Sequence, residues 1–226
     1  MIPREINYSE IEKVYKKLSP FVIKTPIIQN SFYLTNLFNT NILFKLEFLQ
    51  HSGCFKVRGA INNLLNLSEH EKEKGITVVS AGNHAIATSY VANKFSIKNK
   101  IFIYDSANSY RLNIVRSLNA NLFLTNALNG FKEAEKASKD EGYNFIHPFD
   151  GKYTIQGTAS LGFQICQQIE TIDNIIISVG GGGLIAGVGS IIRQKFPNCN
   201  IIGIEPEGAK GLSDSIKNNA PLAEVK

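Results

Sequence analysis

Short apolar segments alternate with longer amphipathic segments along most of this chain. The apolar segments, which are typical of strands, are residues 76–79, 100–103, 122–124, 174–179 and 200–204. The amphipathic segments between them, which are typical of helices, include residues 83–95, 109–118 and 131–141. This order predicts an α/β fold in which a mainly parallel sheet has helices on both faces.

Two further local predictions concern the first fifty residues. Apolar and charged residues alternate over residues 42–48, which predicts another strand. Ser9 is followed three residues later by Glu12, and this spacing predicts a capping box at the start of a first helix.

A run of four glycines, Gly180 to Gly183, joins the predicted strand 174–179 to a helix that opens at Leu184. The isoleucine-rich strand is predicted to be buried. Glycine lets the backbone approach a ligand closely, and free N–H groups at the start of a helix bind phosphate. The run therefore predicts a phosphate-binding loop.

The same run has two alternative interpretations. The glycines can serve only a tight turn from strand to helix, although two would suffice for that. Alternatively, Gly181-x-Gly183-x-x-Ala186 matches the dinucleotide fingerprint, and Glu205 ends the next predicted strand. Against a dinucleotide site, only one and a half strand–helix units remain in the chain after residue 174.

Lys56 lies where an early strand leads into a helix that runs through Ile61, Leu64 and Leu65. The positive end of a helix dipole disfavours an ammonium group, so this position favours a neutral amine. Imine chemistry needs such an amine. For a lysine taken alone, however, a solvated place in the first helical turn is the more common situation.

A small polar loop, Ser80-Ala81-Gly82-Asn83-His84, joins the predicted strand 76–79 to the next helix. Its backbone offers N–H donors for a carboxylate, and the Asn83 amide can bond a hydroxyl group. Taken alone, His84 is more typical of a structural residue at a helix start than of a catalyst.

Composition excludes several classes of protein. The formal net charge is +5, but the basic residues are spread along the chain, which argues against nucleic-acid binding. No apolar run approaches the length of a membrane span, and the first residues lack the apolar core of a signal peptide. The three cysteines form no CxxC pair, which is typical of reduced thiols without a metal cluster.

Taken together and in order, three segments resemble motifs of the fold-type II pyridoxal-phosphate enzymes, most closely the threonine/serine dehydratase branch. That family carries Ser/Thr-Gly-Ser-Phe-Lys-x-Arg-Gly-Ala, then Ser-Ala-Gly-Asn-His, then Gly-Gly-Gly-Gly-Leu. The matching segments here are residues 52–60, 80–84 and 180–184. The resemblance continues through Pro148-Phe149-Asp150 and implies a two-domain α/β fold of the tryptophan synthase β type.

The resemblance also implies the cofactor and the residues of the site. The cofactor is pyridoxal 5'-phosphate, and Lys56 is the catalytic residue that carries it as a Schiff base. The residues implied to bind the cofactor are Phe55, Lys56, Asn83, Gly180, Gly181, Gly182, Gly183 and Leu184. The residues implied to bind the substrate are Ser80, Ala81, Gly82, Asn83 and His84.

The implied reaction is β-elimination, which converts L-threonine or L-serine to 2-oxobutanoate or pyruvate and ammonia, with Lys56 taking the α-proton. An amino-acid racemase or a β-replacement synthase is the alternative on the same fold. A non-catalytic relative that binds a phosphate-bearing ligand is the alternative of another class. Racemase relatives carry Ser where this chain has Ala81, which favours elimination because racemisation needs a second acid/base.

Several positions depart from the family pattern. Cys54 replaces the Ser before Phe55, Gln164 stands where Glu is common, and Arg111 replaces a lysine. Some relatives bind a divalent ion near the position of Glu205, with a second acidic ligand where this chain has Gly211. We therefore expect no metal site.

The resemblance divides the chain into a small domain, residues 40–147, and a large domain formed by residues 1–39 plus 148–226. Family members continue past residue 226 and supply a hydroxyl or thiol that faces the pyridine nitrogen. We therefore expect this chain to be a fragment that is inactive and poorly stable alone. The parent protein is expected to be cytoplasmic and a homodimer or higher homo-oligomer that acts on a small amino acid.

Overall fold

The structure, a computed structural model, describes residues 6–29 and 32–219. Within these residues the α-helices are α1 (Tyr8–Leu18), α2 (Phe32–Phe38), α3 (Lys56–Leu65), α4 (Glu69–Lys74), α5 (Asn83–Lys94), α6 (Ser109–Ser117), α7 (Gly130–Glu141), α8 (Lys152–Cys166), α9 (Gly183–Lys195) and α10 (Gly211–Asn218). The strands are β1 (Ile27–Gln29), β2 (Leu43–Lys45), β3 (Ile76–Ser80), β4 (Asn99–Tyr104), β5 (Leu122–Thr125), β6 (Asn144–Phe145), β7 (Asn174–Ser178) and β8 (Asn200–Ile204).

The strands form three sheets. Four parallel strands lie in the order β5-β4-β3-β6, while β7 and β8 form a second parallel sheet. Strands β1 and β2 form an antiparallel hairpin. Because Ser80 at the end of β3 pairs with Ile103 of β4, the carboxyl ends of these two strands lie side by side. Parallel strands joined by helices confirm the predicted α/β class.

Both faces of the four-stranded sheet are buried. Val78 and Ile101 pack in one hydrophobic cluster with residues of α5 and α6. Val79 and Phe102, one position further along their strands, pack in another cluster with Ala134 of α7. Since successive side chains point to opposite faces of a strand, this arrangement explains why β3 and β4 are continuous apolar runs.

Helix α8 is the spacer that brings the starts of α3 and α9 together. Twelve of its fifteen residues are buried. A Cβ atom at Gly157 would lie 2.5 Å from the Cα atom of Gly59 in α3, so only glycine permits this approach. On another side, a Cβ atom at Gly187 of α9 would lie 2.1 Å from the Thr158 hydroxyl oxygen. These two contacts hold α3, α8 and α9 close together.

Two local predictions are wrong. The first helix is capped by Asn7, whose side chain accepts a hydrogen bond from the Glu10 amide at 2.9 Å, and not by Ser9. The strand predicted over 42–48 ends at Lys45, since a 3-10 helix forms over Glu47–Leu49. The side chain of Glu47 in this turn bonds the buried Arg58 instead of continuing the strand pattern.

The prediction that strand 174–179 is buried is also wrong for one face. Ile176 of β7 is 70% exposed, and Ile202 and Ile204 of β8 are exposed beside it. Ile177 points to the other face and is buried against α9. An isoleucine-rich run therefore indicated a strand correctly without indicating whether both faces are covered.

The division into a small and a large domain stays a prediction. The four-stranded sheet lies within residues 40–147, and β7 and β8 lie within residues 148–226. The hairpin, in contrast, pairs β1, from residues 1–39 of the predicted large domain, with β2, from the predicted small domain.

Candidate active site

A cavity of about 220 Å³ opens between the start of α3 and the start of α9. One water needs about 10–15 Å³ of such volume, so the cavity has room for a small organic molecule. Its lining consists of Phe55, Lys56, Phe149, Ser178, Val179, Gly180, Gly181, Gly182, Gly183 and Leu184. The structure thus brings Phe55, Lys56 and the glycine run to one place, although more than a hundred residues separate them in the chain.

Lys56 is the first residue of α3, and its amine lies inside this region. The amine donates a hydrogen bond to the carbonyl oxygen of Pro148. Burial lowers the pKa of Lys56 because the charged form loses hydration. A larger fraction of neutral amine is therefore present near neutral pH than for an exposed lysine. This is the property that a nucleophile or a base requires.

Three of the four glycines have a conformational or packing reason to be glycine. Gly182 has φ +82°, which favours glycine. A Cβ atom at Gly181 would lie 2.2 Å from the Phe149 ring, and one at Gly183 would lie 2.2 Å from the Phe149 carbonyl oxygen. Gly180 faces open space, with nothing within 4 Å of its Cβ position. Close packing on Phe149 therefore accounts for much of the run.

The start of α9 nevertheless suits an anion. The first amide groups of a helix lack partners within the helix, and the helix dipole makes this end positive. The residues at this end of α9, Gly183 and Leu184, line the same cavity as Lys56. An amine that can form an imine and a cradle for a phosphate thus line one cavity, and these residues fit pyridoxal phosphate.

Phe149 is a lining residue that sequence reasoning did not assign to the site. Its ring lies over Gly181 and makes an edge contact with the His147 ring, at 4.5 Å between centroids. The neighbouring carbonyl of Pro148 is the one that binds Lys56. In the sequence, Phe149 belongs to the motif Pro148-Phe149-Asp150, which indicated the family but did not indicate a role for this side chain.

A hydroxyl group in α8 supports the glycine run from behind. The Thr158 hydroxyl donates to the carbonyl oxygen of Gly183 at 2.7 Å. Thr158 is buried and lines a small space of about 10 Å³ beside the main cavity, together with Lys56 and His84. This contact ties α8 to the first residue of α9.

The His84 imidazole is held inside the protein. Its Nε2 atom lies 3.0 Å from the carbonyl oxygen of Ile146, so the ring N–H donates there. Burial lowers the pKa of His84 to about 3 because the charged imidazolium loses hydration, and the ring is neutral at neutral pH. The contacts of this side chain are structural.

The remaining residues of the asparagine loop, Ser80 to Asn83, line neither of these two cavities. The Ser80 hydroxyl accepts a hydrogen bond from the Gly82 amide at 3.1 Å, which shapes the turn. Ala81 and Asn83 are exposed, whereas Gly82 is buried beneath Arg111. The assignment of this loop to substrate and cofactor therefore stays a prediction.

A buried polar cluster holds the first turn of α3. The Arg58 side chain is fully buried and makes two contacts of 2.8 Å with the Glu47 carboxylate. The Gln164 side-chain oxygen accepts from Arg58 at 3.1 Å and from the Lys45 amine at 2.6 Å. The cluster thus contains two cations and one carboxylate. Burial, with a smaller contribution from Arg58, lowers the pKa of Lys45 to about 8.

We expect this cluster to make stability depend on pH. In the folded protein Lys45 has a pKa of about 8, whereas in the unfolded chain its pKa is the ordinary value of 10.5. Between these two pH values the unfolded chain therefore binds more protons than the folded protein does. The free energy of unfolding should therefore rise with pH across this window, by about 2 kcal/mol after allowance for partial exposure. Urea unfolding at several pH values, compared between the parent and Lys45→Met, measures this contribution.

Gln164→Glu is the matched variant for this prediction. A carboxylate beside Lys45 favours the ammonium form, so the rise should move to higher pH and become smaller. If Lys45→Met and the parent show the same pH dependence, Lys45 is not the group responsible.

The Glu205 carboxylate has a structural role. It accepts hydrogen bonds from the Leu212 and Ser213 amides and from the Ser213 hydroxyl, at the start of α10. Within residues 6–29 and 32–219, no three His, Cys, Asp or Glu side chains are grouped so that they could hold a metal ion. No helix in the same ranges is both long and apolar enough to cross a bilayer.

Comparison with known proteins shows the family of the chain. The family described as "Pyridoxal-phosphate dependent enzyme" matches residues 18–226. The chain is 37% identical to phenylserine dehydratase of Ralstonia pickettii over 217 residues, which cover 96% of this chain and 66% of the relative. It is 32% identical to a catabolic L-threonine dehydratase of Staphylococcus aureus, over 95% of this chain and 63% of that relative.

Solved structures agree with this assignment. Serine racemase of Dictyostelium discoideum superposes with a TM-score of 0.87 at 30% identity, covering 96% of this chain and 71% of that one. Threonine deaminase isoform 2 of Solanum lycopersicum, in its processed form, superposes with a TM-score of 0.86 at 30% identity. The superposition covers 95% of this chain and 61% of that one. The chain thus spans about two thirds of the length of these proteins. It belongs to the family of pyridoxal-phosphate-dependent enzymes of fold type II.

Proposed function

We propose that this protein catalyses β-elimination of L-threonine or L-serine, which yields 2-oxobutanoate or pyruvate and ammonia. The observation that carries the proposal is that Lys56 and the start of α9 line the same cavity. Burial lowers the pKa of Lys56, as this chemistry requires. The dehydratase relatives from Ralstonia and Staphylococcus support elimination from a 3-hydroxy amino acid.

The residues proposed to hold pyridoxal phosphate are those that line the cavity. Lys56 would carry it through an imine, Phe55 would flank its ring, and Gly180 to Gly183 with Leu184 would bind its phosphate. Asn83, which lines neither cavity, is proposed as the partner of its 3-hydroxyl group. When bound, the cofactor supplies an electron sink for the charge left at Cα after proton loss.

The Lys56 amine is proposed to take the proton from the substrate Cα. This step needs a neutral amine, and burial keeps the pKa of Lys56 below that of an exposed lysine. The Pro148 carbonyl accepts a hydrogen bond from the same amine and orients it when it is free. The loop 80–84 is proposed to bind the substrate carboxylate through the amides that precede and open α5.

Elimination is favoured over racemisation by the side chain at position 81. Racemisation needs a second acid/base on the face of the substrate opposite Lys56. Ala81 is exposed and carries no group that exchanges protons. The superposition on serine racemases keeps racemisation as the second candidate, and a direct assay separates the two.

We expect the full-length, cofactor-loaded protein to release 2-oxo acid and ammonia from L-threonine or L-serine at least about a hundredfold faster than it forms the D-isomer. The factor follows from the usual contribution of one acid/base group, about 10²–10⁴. Product analysis by chiral chromatography and a coupled ammonia assay measure both rates. Ala81→Ser supplies a hydroxyl and should increase D-serine formation.

Rapid conversion of L-serine to D-serine by the parent protein would contradict elimination as the main activity. L-phenylserine belongs in the same assay because of the Ralstonia relative. If phenylserine reacts fastest, the reaction stands and the preferred substrate changes.

We also propose that the full protein is a cytoplasmic homodimer or higher homo-oligomer with the two domains predicted above. These features rest on the family resemblance. Light scattering on the cofactor-loaded protein measures the oligomeric state.

A further inference from the structure

The guanidinium group of Arg111 lies directly on Gly82, the middle residue of the asparagine loop. A Cβ atom built at Gly82 would lie 2.6 Å from Arg111 Nη1 and 2.9 Å from Cζ. Gly82 is consequently buried, while its neighbours Ala81 and Asn83 stay exposed on either side. The guanidinium is thus part of the surface that the loop presents.

The topology of the sheet explains why these two segments meet. The loop follows β3, and α6, which carries Arg111 in its first turn, follows β4. Strands β3 and β4 are parallel neighbours, so the segments after their carboxyl ends lie at the same edge of the sheet. In open parallel sheets this edge is where ligands bind.

The guanidinium has no polar partner in the described part of the chain. None of the hydrogen bonds there involves the Arg111 side chain, and no carboxylate lies within salt-bridge distance of it. Arg111 is exposed and keeps its full set of donors free. A guanidinium presents these donors in a planar fork that matches a carboxylate, and such charge-assisted pairs are stronger than neutral hydrogen bonds.

We propose that Arg111 binds the α-carboxylate of the amino-acid substrate and is a specificity-determining residue that selects free amino acids over their amides. The inference rests on the proposed function, in which the loop 80–84 receives that carboxylate. The loop supplies neutral backbone donors, and Arg111 supplies the charge. Packing alone, with the side chain serving only as a cover for Gly82, is the competing interpretation.

The experiment measures binding of L-alanine and L-alaninamide to the cofactor-loaded protein by titration calorimetry. Neither ligand has a leaving group at Cβ, so neither undergoes elimination. Arg111→Gln should weaken L-alanine binding about tenfold or more, as expected for loss of a charge-assisted pair. L-alaninamide, which lacks the carboxylate, should bind parent and variant within about twofold. Arg111→Lys keeps the charge and should recover part of the affinity.

Arg116→Gln is the matched control. Arg116 is exposed in the last turn of the same helix, and the same change there removes one positive charge from α6. It should leave L-alanine binding unchanged. Steady-state kinetics with L-threonine should show the Arg111→Gln effect mainly in KM, because the residue acts on the carboxylate and not on the reacting bonds.

The outcomes separate this inference from the proposed function. If the parent binds L-alanine and releases ammonia from threonine, and Arg111→Gln binds L-alanine as well as the parent does, the carboxylate role of Arg111 is wrong and the function stands. If Arg111→Gln weakens both ligands equally, Arg111 only shapes the loop. If the parent neither binds L-alanine nor releases ammonia, both proposals fall.

Discussion

Replacing Lys56 with alanine is expected to abolish release of ammonia and 2-oxo acid, by at least about a thousandfold. The variant loses both the group proposed to carry the cofactor and the base proposed to take the α-proton. It should fold, because the buried amine donates a hydrogen bond only to Pro148 within the described residues, and its burial is itself unfavourable. Ammonia assays and circular dichroism melting measure the two effects.

Lys152 offers a matched control for this prediction. It is the first residue of α8, as Lys56 is of α3, but it is exposed and lines neither cavity. Borohydride reduction of the cofactor-loaded protein should fix the cofactor to the peptide that contains Lys56, in the parent and in Lys152→Ala. Label on a different lysine would overturn the proposed function.

The sequence predicts the parallel strands well because their signal is local. Strand β8 has the bounds predicted for it, β3 is longer than predicted by one residue at one end, and β4 is longer by one residue at each end. The apolar periodicity did not indicate helix α8, and the reason is its burial on nearly all sides. A helix that packs against α1, α3 and α9 at once has no exposed polar face, and its buried residues include polar ones, so the periodicity that reveals surface helices is absent.

For the candidate site, the sequence identifies the important residues. It does not show which packing contacts require those residue types. The motifs around Lys56 and the glycine run predicted a shared ligand. The reason for Gly181 and Gly183 is the approach of Phe149, which comes from a segment some thirty residues earlier. The contact of Arg111 with Gly82 likewise depends on the order of β3 and β4 in the sheet. Neither contact leaves a pattern of spacing that sequence reasoning can detect.

The second large effect is expected at Glu47, which lies outside both cavities. Glu47→Gln should lower the free energy of unfolding by about 3–5 kcal/mol, because it leaves the fully buried Arg58 without its carboxylate. Arg58 already has one buried nitrogen, Nη1, with no hydrogen-bond partner in the described residues. Lys45, the second cation of the cluster, would then face Arg58 with no anion between them.

Urea unfolding of the cofactor-free protein measures this loss, and Glu12→Gln is its control. Glu12 pairs with Lys16 on the exposed face of α1, where both side chains are more than 40% exposed, and such pairs contribute about 0–1 kcal/mol. Adding Lys45→Met to Glu47→Gln should recover part of the loss, because it removes the second buried cation. A loss at Glu47 no larger than at Glu12 would mean that the cluster does not hold the first turn of α3. In that case Lys56, two residues before Arg58, must be positioned mainly by the contact of α3 with α8.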